Sequence, residues 1–129
     1  MRRRTFAAAA VSALTVAGVA AGAAGPAATL TREIALTRAG QYKPLYQLYT
    51  PRFRAGCPYG RFAAGAKHQR AQLAGITIRV IGQHISGNHG TVDYHALLGS
   101  TVVATLRGDK YTKIGGRWLD EVDQYTLCR

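Results

Sequence analysis

Residues 75–98, GITIRVIGQHISGNHGTVDYHALL, decide the fold class of this 129-residue chain. Apolar and polar residues alternate in two runs, and a period of two is typical of β-strands with one buried face. The apolar positions are Ile76, Ile78 and Val80 in the first run, and Val92, Tyr94, Ala96 and Leu98 in the second. A three-residue loop, Asn88-His89-Gly90, would let the two apolar faces coincide and would put His84 opposite Tyr94. The segment predicts an antiparallel hairpin.

The chain on the two sides of this hairpin predicts different elements. After it, a third strand covers residues 101–114, and Gly115-Gly116 turns the chain into a fourth strand that continues towards Cys128. Before it, apolar residues recur at helical spacing, Gly40 and Pro51 separate the helical segments, and Gly75 ends the last of them. The sequence therefore predicts one α+β domain over residues 29–129, with N-terminal helices packed on a curved antiparallel sheet.

The first residues predict export. Arg2, Arg3 and Arg4 precede an alanine-rich apolar run, and small residues follow, which is the pattern of a secretory signal peptide. We expect this leader to cover residues 1–23, with cleavage as late as residue 28 as an alternative. The competing interpretation, a membrane anchor, would need about 20 strongly apolar residues. The expected location is extracellular or in the cell envelope, with no transmembrane anchor after processing, through Sec export or, since Arg3-Arg4-Thr5-Phe6 resembles the twin-arginine signal, Tat export.

Two cysteines, Cys57 and Cys128, are present. An even number of cysteines in an exported chain predicts a single disulfide between them, and the alternative is two free thiols. Closing a loop of about 70 residues would stabilise the domain by about 4 kcal/mol in the chain-entropy model.

The charge of the chain favours anionic neighbours. The formal net charge is +11, and three of the positive charges belong to the leader. The remaining lysines and arginines are scattered and form no nucleic-acid motif, so no specific nucleic-acid binding is expected. Nonspecific binding of a polyanion or a cell-envelope component through the basic surface remains an alternative function.

Two further stretches suggest a family. The run AGQYKPLYQLYTPRFR at residues 39–54 and the run DKYTKIGGRWL at residues 109–119, in this order, resemble the nuclear transport factor 2-like superfamily, which is also described as a cystatin-like cone. The chain is similar to a small secreted bacterial member of actinobacterial type. This resemblance implies a curved sheet around helices that encloses an apolar cavity, in either a non-catalytic binding domain or an enzyme such as a ketosteroid isomerase, dehydratase or epoxide hydrolase. No family catalytic motif matches, so the resemblance assigns no catalytic residue and implies no cofactor.

The favoured function is a secreted non-catalytic binding or protein-interaction domain that holds a small apolar ligand or an envelope component, and a homodimer is a further expectation. The candidate pocket residues are Tyr46, Tyr49, His84, Tyr94 and Trp118. The alternative is a cofactor-independent isomerase, dehydratase or hydrolase in which His84 and Tyr94 act together. No carboxylate is predicted inside the pocket.

A metal site on the hairpin is the remaining alternative. His84, His89, Asp93 and His95 are close in sequence, and two histidines with a carboxylate could bind zinc or iron. The predicted register places His84 on one face and Asp93 with His95 on the other, so we expect no metal to be bound there.

Overall fold

The computed structural model describes residues 25–121 and Cys128; the predicted leader, residues 1–23, lies outside the described residues. Four helices come first: α1 (Pro26–Ala39), α2 (Tyr42–Tyr46), α3 (Pro51–Gly56) and α4 (Tyr59–Gln72). Four strands follow: β1 (Ile76–Ser86), β2 (His89–Leu98), β3 (Thr101–Ile114) and β4 (Arg117–Asp120). The strands form one antiparallel sheet in the order β1-β2-β3-β4, which confirms the α+β class. No described helix is long and apolar enough to span a bilayer.

The helix ends follow from local chemistry. Pro26 occupies the first turn of α1, where its missing N–H is not needed, and Gly40 ends α1 in the left-handed region at φ 70°. Thr50 caps α3, because its side-chain oxygen accepts a hydrogen bond from the Phe53 N–H at 3.2 Å.

The helices bury an aromatic core of their own. Leu45, Phe53 and Phe62 are buried there, and the Phe62 ring lies 5.1 Å from the Tyr49 ring. Cys57 pairs with Cys128 in this core with their Cα atoms 5.7 Å apart, so the predicted disulfide is confirmed. A disulfide within one chain is typical of an oxidising, non-cytoplasmic compartment.

A second core lies between α1 and the sheet. It contains Leu30 from α1, Val92 from β2, Tyr111 from β3 and Trp118 from β4. Tyr111 and Val92 have no exposed surface at all. The sheet therefore packs on α1 through its inner face, which we define as the face that carries Val92 and Tyr111.

The hairpin register differs from the prediction. Ser86 pairs with His89, so the loop has two residues rather than three, and His84 lies opposite Thr91. Tyr94 lies opposite Val80. The pairing shifts between Val80 and Gly82, where Ile81 is an extra residue in β1. This bulge allows a tight turn at one end while the apolar faces still coincide at the other, and the predicted pairing of His84 with Tyr94 is therefore wrong.

The helical half and the sheet meet at the end of β4. The Asp120 N–H donates to the Leu48 carbonyl at 2.8 Å, and the Thr50 N–H donates to the Asp120 carbonyl at 3.0 Å. These bonds hold Tyr49 beside Asp120, and the two residues form an isolated parallel β-bridge. The segment between α2 and α3 is thereby joined to the sheet edge.

Candidate functional site

A cavity of about 360 Å³ lies between α1, α4 and the sheet, and we call it the inner cavity. Leu30 and Ile34 of α1, Leu73 and the strand residues Ile78 and Leu106 make its apolar wall. The polar residues that line it are Glu33, Thr37, Tyr49, Gln69, Gln72, Tyr94, Asp109 and Asp120. The volume falls within the range of about 300–1,000 Å³ that is usual for small-molecule sites.

Glu33 is the most deeply buried acid of this wall, with 4% of its surface exposed. The Tyr111 hydroxyl lies 2.9 Å from Oε1 of Glu33 and 3.0 Å from Oδ2 of Asp109. A phenol has one proton to donate, so both contacts are hydrogen bonds only if one of the carboxyls also carries a proton. Glu33, Tyr111 and Asp109 thus lie within hydrogen-bonding distance of one another through the Tyr111 hydroxyl.

The surroundings favour the protonated form of these acids. Burial raises the pKa of Glu33 well above its usual value, and the charge of Asp120 and a hydrogen bond with its carboxyl raise it further. Burial also raises the pKa of Asp109, while the hydrogen bond from Tyr111 acts in the opposite direction. A carboxyl pair that shares one proton explains how Glu33 and Asp120, both about 95% buried, lie together.

The tyrosines around the acids remain neutral phenols. Burial raises the pKa of Tyr49, Tyr94 and Tyr111, and the neighbouring carboxylates raise it further. A neutral phenol can donate a hydrogen bond to a carboxylate or to a ligand. The inner cavity therefore offers acids as acceptors and tyrosine hydroxyls as donors.

Among residues 25–121 and Cys128, those that line the inner cavity are neutral or acidic. This contrasts with the whole chain, in which 17 lysines and arginines outnumber six aspartates and glutamates. Half of those acids, Glu33, Asp109 and Asp120, line this one cavity. The described lining thus concentrates acidic groups in a protein whose net charge is positive.

The five candidate pocket residues are separated by the fold. Tyr49 and Tyr94 line the inner cavity. Tyr46 is part of the helical core, and its hydroxyl lies 2.6 Å from the Cys57 carbonyl. Trp118 is buried against α1 and lines a shallow cleft of about 240 Å³ beside Arg32 and Arg117.

His84 lies elsewhere. It is exposed in a groove of about 440 Å³ at the hairpin end of the sheet, together with His89 and Lys110. Tyr94 lines the inner cavity instead. The structure thus does not bring His84 and Tyr94 into one site.

Asp93, one of the hairpin residues considered as metal ligands, contacts the backbone and an arginine of the neighbouring strand. Asp93 accepts a hydrogen bond from the Gly108 N–H at 2.8 Å and lies 3.7 Å from an Arg107 nitrogen. Among residues 25–121 and Cys128, no three histidine, cysteine, aspartate or glutamate side chains are arranged to hold a metal ion.

The three carboxylates in the inner cavity were not predicted, and the expectation that none lies inside is wrong. One sequence signal was available: Glu33 lies three residues after Leu30 and three before Leu36, on the apolar stripe of its helix. Asp109 and Tyr111 are two residues apart in a strand and therefore share a face. Asp120 becomes an inner-cavity residue only through its bridge to Tyr49.

Comparison with known proteins gives a fold relationship. No family model and no curated protein matches the chain. The solution structure of a SEC-C motif containing protein from Rhodopseudomonas palustris superposes with a TM-score of 0.56 at 21% identity, over 78% of this chain and 77% of that one. No nuclear transport factor 2-like or cystatin-like family is indicated, so the resemblance based on residues 39–54 and 109–119 is wrong. The short Tyr/Leu pattern suits a helix face and the Gly-Gly-x-Trp pattern suits a hairpin turn. Both elements occur in many other folds, so the two patterns do not identify a family. The chain is thus similar in fold to the Rhodopseudomonas protein.

Proposed function

We propose that this protein is a small-ligand-binding domain and that the inner cavity is its binding site. The observation that supports this function is the convergence of Glu33, Asp109 and Asp120 on one cavity of about 360 Å³ that also has an apolar wall. Apolar walls with a few converging polar groups are the usual composition of small-molecule sites. Titratable groups with strongly shifted pKa values concentrate at such sites.

The energetic cost of these acids supports the same conclusion. An isolated buried carboxyl destabilises a fold unless it is protonated or paired, and an apolar side chain of similar volume would pack at no such cost. Glu33 is placed on the apolar stripe of α1, where a leucine would continue the pattern of Leu30 and Leu36. A residue that conflicts locally with its element is typical of a functional position.

We further propose that the protein acts outside the cytoplasm after removal of its leader. The arginine-rich start, the apolar run and the Cys57–Cys128 disulfide support this location. Pro26 is buried and begins α1, which favours cleavage before Ala24 over cleavage before Thr29. The mass of the protein recovered from the culture fluid of its host tests this: the expected chain starts at Ala24 with both cysteines oxidised, and a full-length chain in the cytoplasm would contradict it.

A matched pair of variants tests the binding site. Leu106 lines the inner cavity and is 42% exposed, so Leu106→Trp should fill the cavity from its rim without disturbing the core. Val103 lies on the same strand, is 53% exposed and is outside the cavity lining, so Val103→Trp is the control. A fragment library would be screened by two-dimensional NMR against the wild type and both variants.

The expected result is a set of fragments that shift inner-cavity resonances in the wild type and in Val103→Trp and that lose binding in Leu106→Trp. Fragments that bind equally to all three proteins, or the absence of any fragment that shifts these resonances, would contradict the proposed function.

A further inference from the structure

We infer that the ligand of the inner cavity is an uncharged lipid-like molecule, a hydrocarbon chain that ends in an uncharged oxygen group such as an alcohol, ester or amide. This assignment rests on the proposed function and names the chemical class of ligand for the same site. Three features of the molecule support it: the extent of the apolar wall, the hydrogen bonds among the acids, and the hydroxyl of Tyr94.

The apolar wall of the inner cavity continues along the sheet beyond the cavity. Ile78, Tyr94 and Leu106 line the cavity from three neighbouring strands, and side chains two residues away on each strand share their face. Strand pairing arranges these side chains in three successive rows. The rows are Val80, Tyr94 and Leu106; Ile78, Ala96 and Ala104; and Ile76, Leu98 and Thr101. Apart from two hydroxyl groups, this part of the inner face is apolar.

Part of this apolar surface is open to solvent. Val80 is 38% exposed, Leu106 is 42% exposed and Leu98 is 56% exposed. From Val92, which pairs with Asp109, to Leu98 the strand advances by roughly 20 Å. A hydrocarbon chain that leaves the cavity along the rows would cover these side chains. The surface therefore suits an elongated apolar molecule.

The acids at the polar end of the cavity already have hydrogen bonds. The Tyr111 hydroxyl contacts both Glu33 and Asp109, and Glu33 hydrogen-bonds with the Asp120 carboxyl. A cationic ligand is therefore not needed to satisfy them, and an anionic end group would be repelled by whatever negative charge they carry. Transfer of either charged group from water into the cavity is also more costly than transfer of a neutral one. This end of the cavity favours an uncharged group.

Tyr94 offers a hydrogen bond to such an end group. Burial raises the pKa of its hydroxyl, and the charges of Asp109, Asp120 and Glu33 raise it further, so the phenol stays neutral. Within the part of the chain that the structure describes, this hydroxyl makes no hydrogen bond. A neutral phenol can donate to the oxygen of an alcohol, ester or amide. Tyr94 therefore lies where the polar end and the apolar rows meet.

Straight-chain alcohols test the hydrocarbon part of the ligand. 1-Butanol, 1-hexanol and 1-octanol are each titrated into the oxidised protein, and binding is followed by two-dimensional NMR. We expect the affinity to rise about fourfold for each added methylene, which corresponds to about 0.8 kcal/mol per buried CH₂ group. 1-Butanol should shift only resonances of the cavity lining, and 1-octanol should also shift those of Val80 and Leu98.

Two charged probes of the same chain length test the end group. Octanoate and octylammonium are titrated at the same pH and salt concentration as 1-octanol. Each should bind at least about tenfold more weakly than the alcohol, because a charged group loses its hydration on entry. A charged probe that binds as tightly as 1-octanol would contradict the uncharged end group.

Two variants and a matched control assign the binding mode. Leu98→Gln should weaken 1-octanol severalfold and leave 1-butanol unchanged, because Leu98 lies in the row farthest from Asp109. Ile114→Gln is the control: Ile114 is similarly exposed but lies at the other end of β3, so the wild-type affinities should be kept. Tyr94→Phe should weaken all three alcohols about fivefold, the equivalent of one neutral hydrogen bond, without changing the gain per methylene.

The outcomes separate the ligand class from the proposed function. If library fragments occupy the inner cavity but the alcohols do not bind, or bind without an effect of chain length, the ligand class is wrong and the binding function stands. If the Val80 and Leu98 resonances shift with protein concentration in the absence of a probe, a second copy of the chain covers this face and the ligand class is also wrong. If neither a fragment nor an alcohol occupies the cavity, the proposed function itself fails.

Discussion

The Tyr111 hydroxyl lies 2.9 Å from Oε1 of Glu33, although 78 positions separate the two residues in the chain. The contact joins the first helix to the third strand in the buried interior. Because the same hydroxyl also lies 3.0 Å from Asp109, one phenol contacts the acids of both α1 and β3. The pH dependence of the stability that Glu33 contributes follows from this buried contact.

Glu33 should make the folded protein less stable as the pH rises. Its folded-state pKa is raised above the usual value of 4.5, mainly by burial and then by Asp120, so the folded state binds a proton that the unfolded state has already released. The stability from this group is complete below pH 4.5 and is lost as the pH rises from there through the raised pKa. Urea denaturation at several pH values across this window measures the loss.

Glu33→Gln should remove that part of the pH dependence and should be more stable than the wild type at the alkaline end, because the amide stays neutral and can donate to Asp120. Glu121→Gln, which changes an exposed acid, is the control and should keep the wild-type slope. An unchanged slope in Glu33→Gln would show that burial does not hold a proton on this residue.

Tyr111→Phe should destabilise the fold by about 1–3 kcal/mol, because it leaves buried carboxyl oxygens without their donor. Tyr111 is fully buried, and the loss of its hydroxyl leaves the ring in place. Tyr42→Phe, at the partly buried edge of the helical core, is the control and should change the free energy of unfolding by less than about 0.5 kcal/mol. Denaturant midpoints distinguish the two, and equal effects would argue against the hydroxyl as a structural donor.

The order of elements could be predicted from the sequence because hydrophobic periodicity reports which side of an element is buried. Ile76, Ile78 and Val80 alternate as a strand must, and Gly75 separates them from the helices. The bulge at Ile81 could not be predicted in this way, since Ile81 is itself apolar and continues the run without a break. The two-residue turn, which sets Ser86 opposite His89, places His84 opposite Thr91 rather than Tyr94.

Two acids of the candidate site, Asp109 and Asp120, could not be predicted for a different reason. Asp109 lies between Gly108 and Lys110 and Asp120 precedes Glu121, which suits exposed positions, and the surroundings of both acids depend on partners far along the chain. Periodicity places a side chain on a face of its own element, but the content of the space opposite depends on tertiary packing. The tyrosines Tyr49 and Tyr94 could be predicted as pocket candidates because large amphipathic residues suit both a core and a cavity wall.

The disulfide should contribute about 4 kcal/mol to stability, because Cys57 and Cys128 are separated by 71 positions and their bond restricts a long loop of the unfolded chain. The double variant Cys57→Ser/Cys128→Ser should show this loss in urea denaturation. The oxidised and reduced wild type provide the matched comparison, and the variant should behave like the reduced protein. A variant as stable as the oxidised protein would contradict the prediction.

Gly90→Ala should destabilise the junction between α1 and the hairpin. A Cβ atom at this buried glycine would lie 3.0 Å from Cγ of Pro26 and 3.1 Å from Cζ3 of Trp118, so the neighbours would have to move, at a cost of about 1–3 kcal/mol. Gly60→Ala in α4 is the opposite case, because nothing lies within 4 Å of its added Cβ atom. It should stabilise the helix by about 0.5–1 kcal/mol, and thermal unfolding of both variants checks the contrast in sign.

The bridge between Tyr49 and Asp120 has a consequence for the order of assembly. Glu33 lies near one end of the described chain and Asp120 near the other, so a nascent chain lacks the complete acidic wall until β4 has been made and has docked beside Tyr49. The ligand binding proposed for the inner cavity would then require the finished fold. A ligand that binds only the folded state would shift the folding equilibrium towards that state, and its release would restore the intrinsic stability of the protein.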